Sequence, residues 1–184
     1  HETGTVELNK ALQAILNPPA PGKREKQFGD FSYREGDRVM QIRNNYDIIW
    51  KRTDGLGAGT GVFNGDIGTI TKIDFAAETL TVVFDDRETA YGFDLLRELE
   101  PAYAMTVHKS QGSEYRAVIL AAWSGSQLLL TRSILYTAIT RARELFIIVG
   151  NEEIIAAMTR NDRQQRRYSG LKLRLERGQA EHEK

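Results

Sequence analysis

The chain has 184 residues, of which 41% are apolar and 27% are charged, and these proportions are typical of a folded domain rather than a disordered segment. It contains no cysteine, which excludes disulfides, thiolate metal sites and a cysteine nucleophile. The 25 basic residues balance the 25 acidic ones, but residues 1–100 carry a net charge of −5 and residues 101–184 one of +5. We therefore expect any polyanion to bind the C-terminal half.

The sequence begins with His1 instead of methionine, so we expect it to be a segment of a longer protein. Its longest apolar runs are far shorter than the ~20 residues that cross a bilayer. No charged and then apolar leader opens the chain. We therefore expect a cytoplasmic location and no membrane partner.

The first 61 residues predict one helix, then a loop, then extended segments at Val39, Ile42 and residues 48–50, and last a glycine-rich loop over 54–61. Apolar residues at helical spacing over 5–16 predict an amphipathic helix, and the prolines that follow it cannot continue a helix. Residues 23–34 are polar and predict a loop. Four glycines between 55 and 61 predict a second, flexible loop.

The middle of the chain predicts a small β-barrel. Short runs of β-branched and aromatic residues, separated by turn residues, cover 66–73, 80–84 and 89–93. Such closely spaced strands favour a barrel over βαβ units, and we assign it to residues 37–100. Residues 62–98 hold 8 acidic and 3 basic residues, so we expect its surface to be acidic.

The last part of the chain predicts an α/β fold. Helices are predicted over 102–111 and 133–143, and apolar strands over 117–122 and 145–149. This alternation indicates a parallel sheet covered on both faces. A final helix with a basic bias is predicted over 152–177. We assign residues 1–36 and 101–184 to this parallel-sheet domain, with the barrel inserted between them.

Two polar segments of the α/β part carry the candidate chemistry. Residues 104–115 place many hydrogen-bonding side chains at the end of a predicted helix, which is costly unless they are exposed or bind a ligand. In residues 135–144, Arg141 and Arg143 lie near the end of another predicted helix. Each arginine either interacts with the helix dipole or binds a phosphate through its guanidinium. No phosphate-binding loop occurs in the sequence.

These segments resemble two motifs of the RecD-like, 5′-to-3′ branch of superfamily 1 helicases. Residues 106–114 resemble motif V and residues 136–143 resemble motif VI. Residues 37–47 and 62–68 resemble the start of the family's inserted Src-homology-3-like barrel, and residues 4–18 resemble the segment leading into its second motor domain. The resemblance implies a RecA-like second motor domain with that barrel, as the C-terminal part of an ATP-dependent DNA helicase acting in recombination or repair.

The resemblance also implies individual roles. Arg141 matches the arginine finger that reaches the γ-phosphate of ATP held on the preceding motor domain. Contact with the nucleotide is implied for Gln111, Gly112 and Glu114. Contact with single-stranded DNA is implied for Thr106, His108, Lys109 and Ser110, and on the barrel for Arg43, Tyr46 and Trp50.

The expected partners are single-stranded DNA, duplex junctions and the upstream motor domain of the same protein. ATP with Mg²⁺ would be bound mainly by that upstream domain, so we expect this segment alone to be inactive. The alternative is a module that keeps the fold without the motor, and binds nucleic acid or docks a partner. An intact Arg141 favours the helicase, because a binding module has no use for an arginine finger.

Overall fold

A computed structural model describes residues 4–123 and 129–162. Its helices are α1 (Thr5–Leu16), α2 (Arg132–Ile139), α3 (Glu152–Arg160) and a 3₁₀ helix (Phe93–Glu98). Its strands are β1 (Glu25–Phe28), β2 (Phe31–Arg34), β3 (Arg38–Gln41), β4 (Asn45–Arg52), β5 (Ala58–Val62), β6 (Ile67–Asp74), β7 (Thr79–Phe84), β8 (Arg87–Gly92), β9 (Leu99–Pro101), β10 (Tyr115–Ala122) and β11 (Ala142–Gly150). In these residues, no helix is long and apolar enough to cross a membrane.

Seven antiparallel strands form the predicted barrel, in the order β5-β4-β8-β7-β6-β3-β9. Alternation along β7 shows why: Leu80, Val82 and Phe84 are buried, and the residues between them are only partly covered. Their neighbours in the core include Val39, Ile70, Ile73, Tyr91, Leu96 and Leu99. Each such side chain contributes about 1.5–3 kcal/mol when removed from water, so this core is the main source of the barrel's stability.

The loop predicted over residues 23–34 is wrong, because β1 and β2 form an antiparallel hairpin there. Its Tyr33 belongs to the barrel core and donates its hydroxyl hydrogen to the Leu99 carbonyl at 2.7 Å. The polarity that suggested a loop comes partly from Arg34, which is buried and pairs with Glu25 at 2.8 Å. Partnered charges thus allowed a polar sequence to form strands.

The glycine-rich loop predicted between residues 55 and 61 is also partly wrong, because β5 occupies its second half. Gly59 pairs with Trp50 of β4 across the two strands. A Cβ atom at Gly59 would lie 2.5 Å from the Trp50 ring. This glycine therefore allows close packing of an aromatic ring rather than chain flexibility.

Helix α1 forms where predicted but packs through polar residues. Ile15 and Leu16 are 75% and 64% exposed, whereas Asn9 and Asn17 are buried. Asn9, Gln13 and Asn17 are spaced four apart and lie on one face of the helix. Gln13 and Asn17 donate from their amides to the carboxylate of buried Asp37, which joins the helix to the barrel.

The α/β part contains the predicted parallel strand pair, β10 and β11, with α2 and α3 beside it. The helix predicted over 102–111 is wrong, because this stretch forms turns. The helix predicted over 133–143 ends at Ile139, so Arg141 lies in a turn and Arg143 in β11. Helix α3 ends at Arg160, and the prediction for residues 163–177 lies outside the described residues. The domain boundaries at 37 and 100 stay a prediction.

Candidate nucleotide and nucleic-acid site

Residues 104–114, the turn segment, connect β9 to β10 and carry the first polar motif. Backbone hydrogen bonds of 3.2 Å fold it into consecutive turns, from the amides of Ser110, Gln111 and Ser113 to the carbonyls of Thr106, His108 and Ser110. Gly112 has a φ of +86°, which a glycine adopts without steric cost. Within these turns the Lys109 amide also donates to Thr106 Oγ1 at 3.3 Å.

The turn segment exposes some polar side chains and uses another internally. Thr106, His108 and Lys109 are exposed. Ser110 is 7% exposed, and its hydroxyl donates to the Val107 carbonyl at 2.7 Å. Of the four turn-segment residues for which DNA contact is implied, three therefore face solvent, and Ser110 shapes the backbone that presents them.

Lys109 already has a partner on the barrel, because its ammonium group pairs with the Glu100 carboxylate of β9. Their side chains are 41% and 35% exposed. An ion pair in such surroundings contributes about 0–1 kcal/mol. A phosphate can therefore replace Glu100 as the partner of Lys109 at small cost.

Asn9 of α1 anchors the chain where it enters the turn segment. Its Oδ1 accepts from the Tyr103 and Ala104 amides, both at 2.9 Å, and its Nδ2 donates to the Ala104 carbonyl at 2.8 Å. The Tyr103 hydroxyl donates to Asp37 at 2.9 Å. Burial, and then this bond to Asp37, raises the pKa of Tyr103 to about 12, so the hydroxyl remains a donor at neutral pH.

The pairing of β10 and β11 brings the two polar motifs together. Tyr115 and Ala142, the first residues of these strands, are partners in the parallel register. The Tyr115 amide donates to the Arg141 carbonyl at 2.8 Å. Because parallel strands begin at the same edge of a sheet, the end of the turn segment lies beside Arg141.

The Arg141 guanidinium is held by three uncharged groups. Its Nη1 donates to the Ser113 carbonyl at 3.0 Å, its Nε to the Thr137 carbonyl at 3.3 Å, and its Nη2 to the Thr140 hydroxyl at 3.3 Å. Within the part of the chain that the structure describes, it forms no ion pair with a carboxylate. Its positive charge is thus uncompensated by a neighbouring anion.

Arg143 differs from Arg141, because it pairs with Glu114. Its Nε donates to the Glu114 carboxylate at 2.6 Å, and both side chains are more than half exposed. Gln111 and Gly112, which precede Glu114, are exposed as well. The residues implied for nucleotide contact are therefore accessible and adjoin Arg141, but Glu114 is engaged by Arg143.

The barrel residues implied for DNA contact lie outside this cluster. Arg43 is exposed, and Tyr46 is 65% exposed. The Tyr46 ring meets Phe63 edge to face, with centroids 5.7 Å apart. Sequence reasoning missed Phe63 as a surface aromatic, although its place between Gly61 and Gly65 indicated a turn. Trp50 is half-buried, with the Arg87 guanidinium 5.9 Å from its ring centre.

Within residues 4–123 and 129–162, no three His, Asp or Glu side chains lie close enough together to bind a metal ion. The arrangement instead suits anions. It offers an uncompensated guanidinium, an exchangeable ammonium and exposed hydroxyl and imidazole groups.

Comparison with protein families gives two matches that divide the chain. Residues 8–84 match the SH3 domain of ATP-dependent RecD-like DNA helicases. Residues 101–149 match the UvrD-like helicase C-terminal domain. The first match covers most of α1 and most of the barrel, and the second covers the turn segment, β10, α2 and most of β11.

Curated relatives match longer stretches. The chain is 34% identical over 163 residues to an ATP-dependent RecD2 DNA helicase of Deinococcus radiodurans, which covers 87% of this chain and 20% of the relative. It is 37% identical over 118 residues to the RecBCD enzyme subunit RecD of Mycolicibacterium smegmatis, covering 64% of this chain and 20% of that one. The chain thus spans about one fifth of the length of these relatives.

Proposed function

The chain belongs to the RecD-like helicases, as motifs V and VI predicted, and on this basis we propose that it is the C-terminal part of an ATP-dependent 5′-to-3′ DNA helicase. In this proposal the turn segment and Arg141 form half of an ATP site, and the preceding motor domain supplies the other half. The barrel and the exposed face of the turn segment form part of the track for single-stranded DNA.

The observation that carries the proposal is the environment of Arg141. A guanidinium has five N–H donors, and three are used on uncharged groups. Donors and charge therefore remain for an anion. An arginine held in this way stabilises the charge that develops on a transferred phosphoryl group. We assign Arg141 the role of arginine finger toward the γ-phosphate of ATP.

Nucleotide contact by Gln111, Gly112 and Glu114 follows from the same geometry. Ser113, whose carbonyl accepts from Arg141, lies between Gly112 and Glu114 in the chain. An ATP phosphate in reach of Arg141 would thus lie near the end of the turn segment. Exposed Glu114 would exchange its bond to Arg143 for one to the nucleotide, which is inexpensive for a surface pair.

Contact with single-stranded DNA is proposed for Thr106, His108 and Lys109, with Ser110 fixing the backbone beneath them. On the barrel, Tyr46 offers an exposed ring on which a base can stack, and Arg43 a charge for a phosphate. Because the turn segment carries both DNA-facing and nucleotide-facing residues, a shift of this segment with the nucleotide state would move the DNA contacts. This is the coupling that a motor requires.

The test is Arg141→Ala in the full-length protein, because this chain has no phosphate-binding loop. We expect DNA-stimulated ATP turnover to fall by up to the roughly 10³–10⁵-fold that arginine fingers contribute elsewhere. Single-strand affinity and melting temperature should stay near the wild-type values. If Arg141 only interacts with the helix end, its loss costs about 0.3–1 kcal/mol of stability and leaves turnover intact.

The matched control is Arg116→Ala. Arg116 is the second residue of β10, near the end of the strand pair where Arg141 lies, but it is exposed and bonded to Glu144 at 3.0 Å, so turnover should not change. Arg143→Ala is a poorer control because it would release Glu114. Turnover that survives Arg141→Ala, or a loss explained by unfolding, contradicts the proposal. DNA binding without any ATP turnover in the wild type would favour the module that has lost its motor.

A further inference from the structure

We propose that Thr140 is a positioning residue for Arg141, and that its hydroxyl holds the guanidinium in the orientation needed for phosphate contact. This inference rests on the proposed role of Arg141 in ATP hydrolysis. It adds a residue whose side chain would touch neither nucleotide nor DNA, and whose effect would pass entirely through the arginine.

The hydroxyl of Thr140 can only accept a hydrogen bond from Arg141, because its own hydrogen is already donated elsewhere. It donates its hydrogen to the Thr137 carbonyl at 3.0 Å. A hydroxyl has one donor hydrogen and two acceptor lone pairs, so this bond leaves Thr140 Oγ1 an acceptor. Arg141 Nη2 donates to it at 3.3 Å. The direction of both hydrogen bonds is thus fixed by the residue's own chemistry.

The backbone places Thr140 for this role. Thr140 follows Ile139 as the C-cap residue of α2, with φ −71° and ψ −4°, and its amide donates to the Tyr136 carbonyl. The Thr137 carbonyl accepts from both the Thr140 hydroxyl and Arg141 Nε. Hydroxyl, carbonyl and guanidinium therefore form one closed network at the helix end.

Loss of this contact would free one end of the guanidinium. Nε and Nη1 would still bind the carbonyls of Thr137 and Ser113, but Nη2 would lose its partner, so two bonds instead of three would hold the guanidinium. Preorganised donors contribute to catalysis because they need not reorient as charge develops. We therefore expect the chemical step to slow, while ATP still binds.

The experiment measures DNA-stimulated ATP hydrolysis by the full-length protein carrying Thr140→Val, which keeps the β-branched shape and removes the hydroxyl. Hydrogen bonds to charged groups support an expected fall in kcat of about tenfold or more. KM for ATP, single-strand Kd and Tm should change little. Thr140→Ser restores the hydroxyl and should restore kcat to within about twofold, as the one lost interaction requires.

Thr159→Val is the matched control for helix capping. Thr159 also donates its hydroxyl hydrogen to the carbonyl three residues earlier, that of Ala156 at 2.8 Å, near the end of α3. It contributes the same type of cap without an arginine on its oxygen. We expect Thr159→Val to leave kcat unchanged. A fall in kcat in Thr140→Val alone would then not come from the loss of a hydroxyl bond at a helix end.

The outcomes separate the two claims. If Thr140→Val keeps wild-type kcat while Arg141→Ala loses turnover, the positioning role is wrong and the arginine finger stands. If Thr140→Ser fails to restore kcat, the hydroxyl is not the cause and the inference is also wrong. If Arg141→Ala retains turnover, the proposed function fails, and the role of Thr140 with it. Should Thr140→Val unfold, Thr140→Ala provides the same comparison against Thr140→Ser.

Discussion

The barrel and the parallel strand pair bury their apolar residues to very different extents. In the barrel, Leu80 and Val82 are completely buried, whereas in β10 and β11 Ile119 is 68% and Leu145 52% exposed. An antiparallel barrel closes around its own side chains, but a parallel pair has two faces to cover. The barrel thus has a well-buried core, to which Tyr33 of the β1–β2 hairpin contributes. The candidate site lies in the α/β part, where the described residues leave more apolar surface exposed.

Because apolar burial is low in the α/β part, polar contacts hold the candidate site in place. The turn segment and Arg141 are fixed by individual hydrogen bonds, in which Asn9, Ser113 and Thr140 accept, rather than by a close-packed core. Substitutions in the barrel core should therefore change stability. Substitutions at the site should change function with little effect on folding, as expected for Arg141 and Thr140.

The largest stability effect should separate the two regions directly. Leu80→Ala in the 184-residue chain leaves a cavity in the barrel and should cost about 2–5 kcal/mol. Ile119→Ala removes a side chain that is mostly in solvent and should cost about 0.5 kcal/mol or less. Urea unfolding of both variants measures this contrast. Equal losses would show that the two regions share one core.

A smaller loss of stability is expected at the contact between α1 and the turn segment, which hydrogen bonds hold together instead of apolar packing. Asn9→Ala leaves the partly buried amides of Tyr103 and Ala104 without their partner. Because a fully buried unpaired group costs about 1–3 kcal/mol, we expect a loss of about 1 kcal/mol here. Hydrogen exchange at these two amides should accelerate together with the loss of stability. Lys10→Ala, at an exposed position of the same helix, should change neither. Unchanged exchange in Asn9→Ala would mean that the turn segment is held by other contacts.

The smallest effect concerns pH and the β1–β2 hairpin. The bond from Arg34 lowers the pKa of Glu25 below 4.5. A lowered carboxyl pKa stabilises the fold above the pKa of the unfolded chain, and this stabilisation is lost as pH falls through the folded value. Glu25→Gln should therefore reduce Tm at pH 7, with a difference that shrinks below about pH 4.5. A difference that stays constant into acid would contradict the pairing.

The sequence predicted the elements whose pattern is repeated and apolar. Leu80, Val82 and Phe84 alternate along β7, and the apolar runs of β10 and β11 indicated a parallel pair. It failed where single contacts decide the structure. The β1–β2 hairpin depends on the pairing of Arg34 with Glu25, which no periodicity reveals.

In the candidate site, too, the sequence indicated the motif residues but not the contacts that hold them. The residue pattern left Arg141 and Arg143 both as candidates, and only the resemblance to motif VI singled out Arg141, whose role stays a prediction. Its anchors were not identified, since the carbonyls of Ser113 and Thr137 have no side-chain signature. The helix predicted over 102–111 also failed: the chain folds there into consecutive turns through single backbone bonds, which the spacing of apolar residues does not reveal.

The amide face of α1 has a mechanical consequence. Asn9 bonds the entry of the turn segment, while Gln13 and Asn17 bond Asp37 at the start of the barrel, and Tyr103 reaches the same carboxylate. Helix α1 is thus bonded through Asn9 to the turn segment, which would contact ATP under the proposed function. Through Gln13 and Asn17 it is bonded to the barrel. A displacement of the turn segment would be carried to the barrel through α1 and not absorbed by a hinge at residues 101–103. The barrel and the turn segment would then move together.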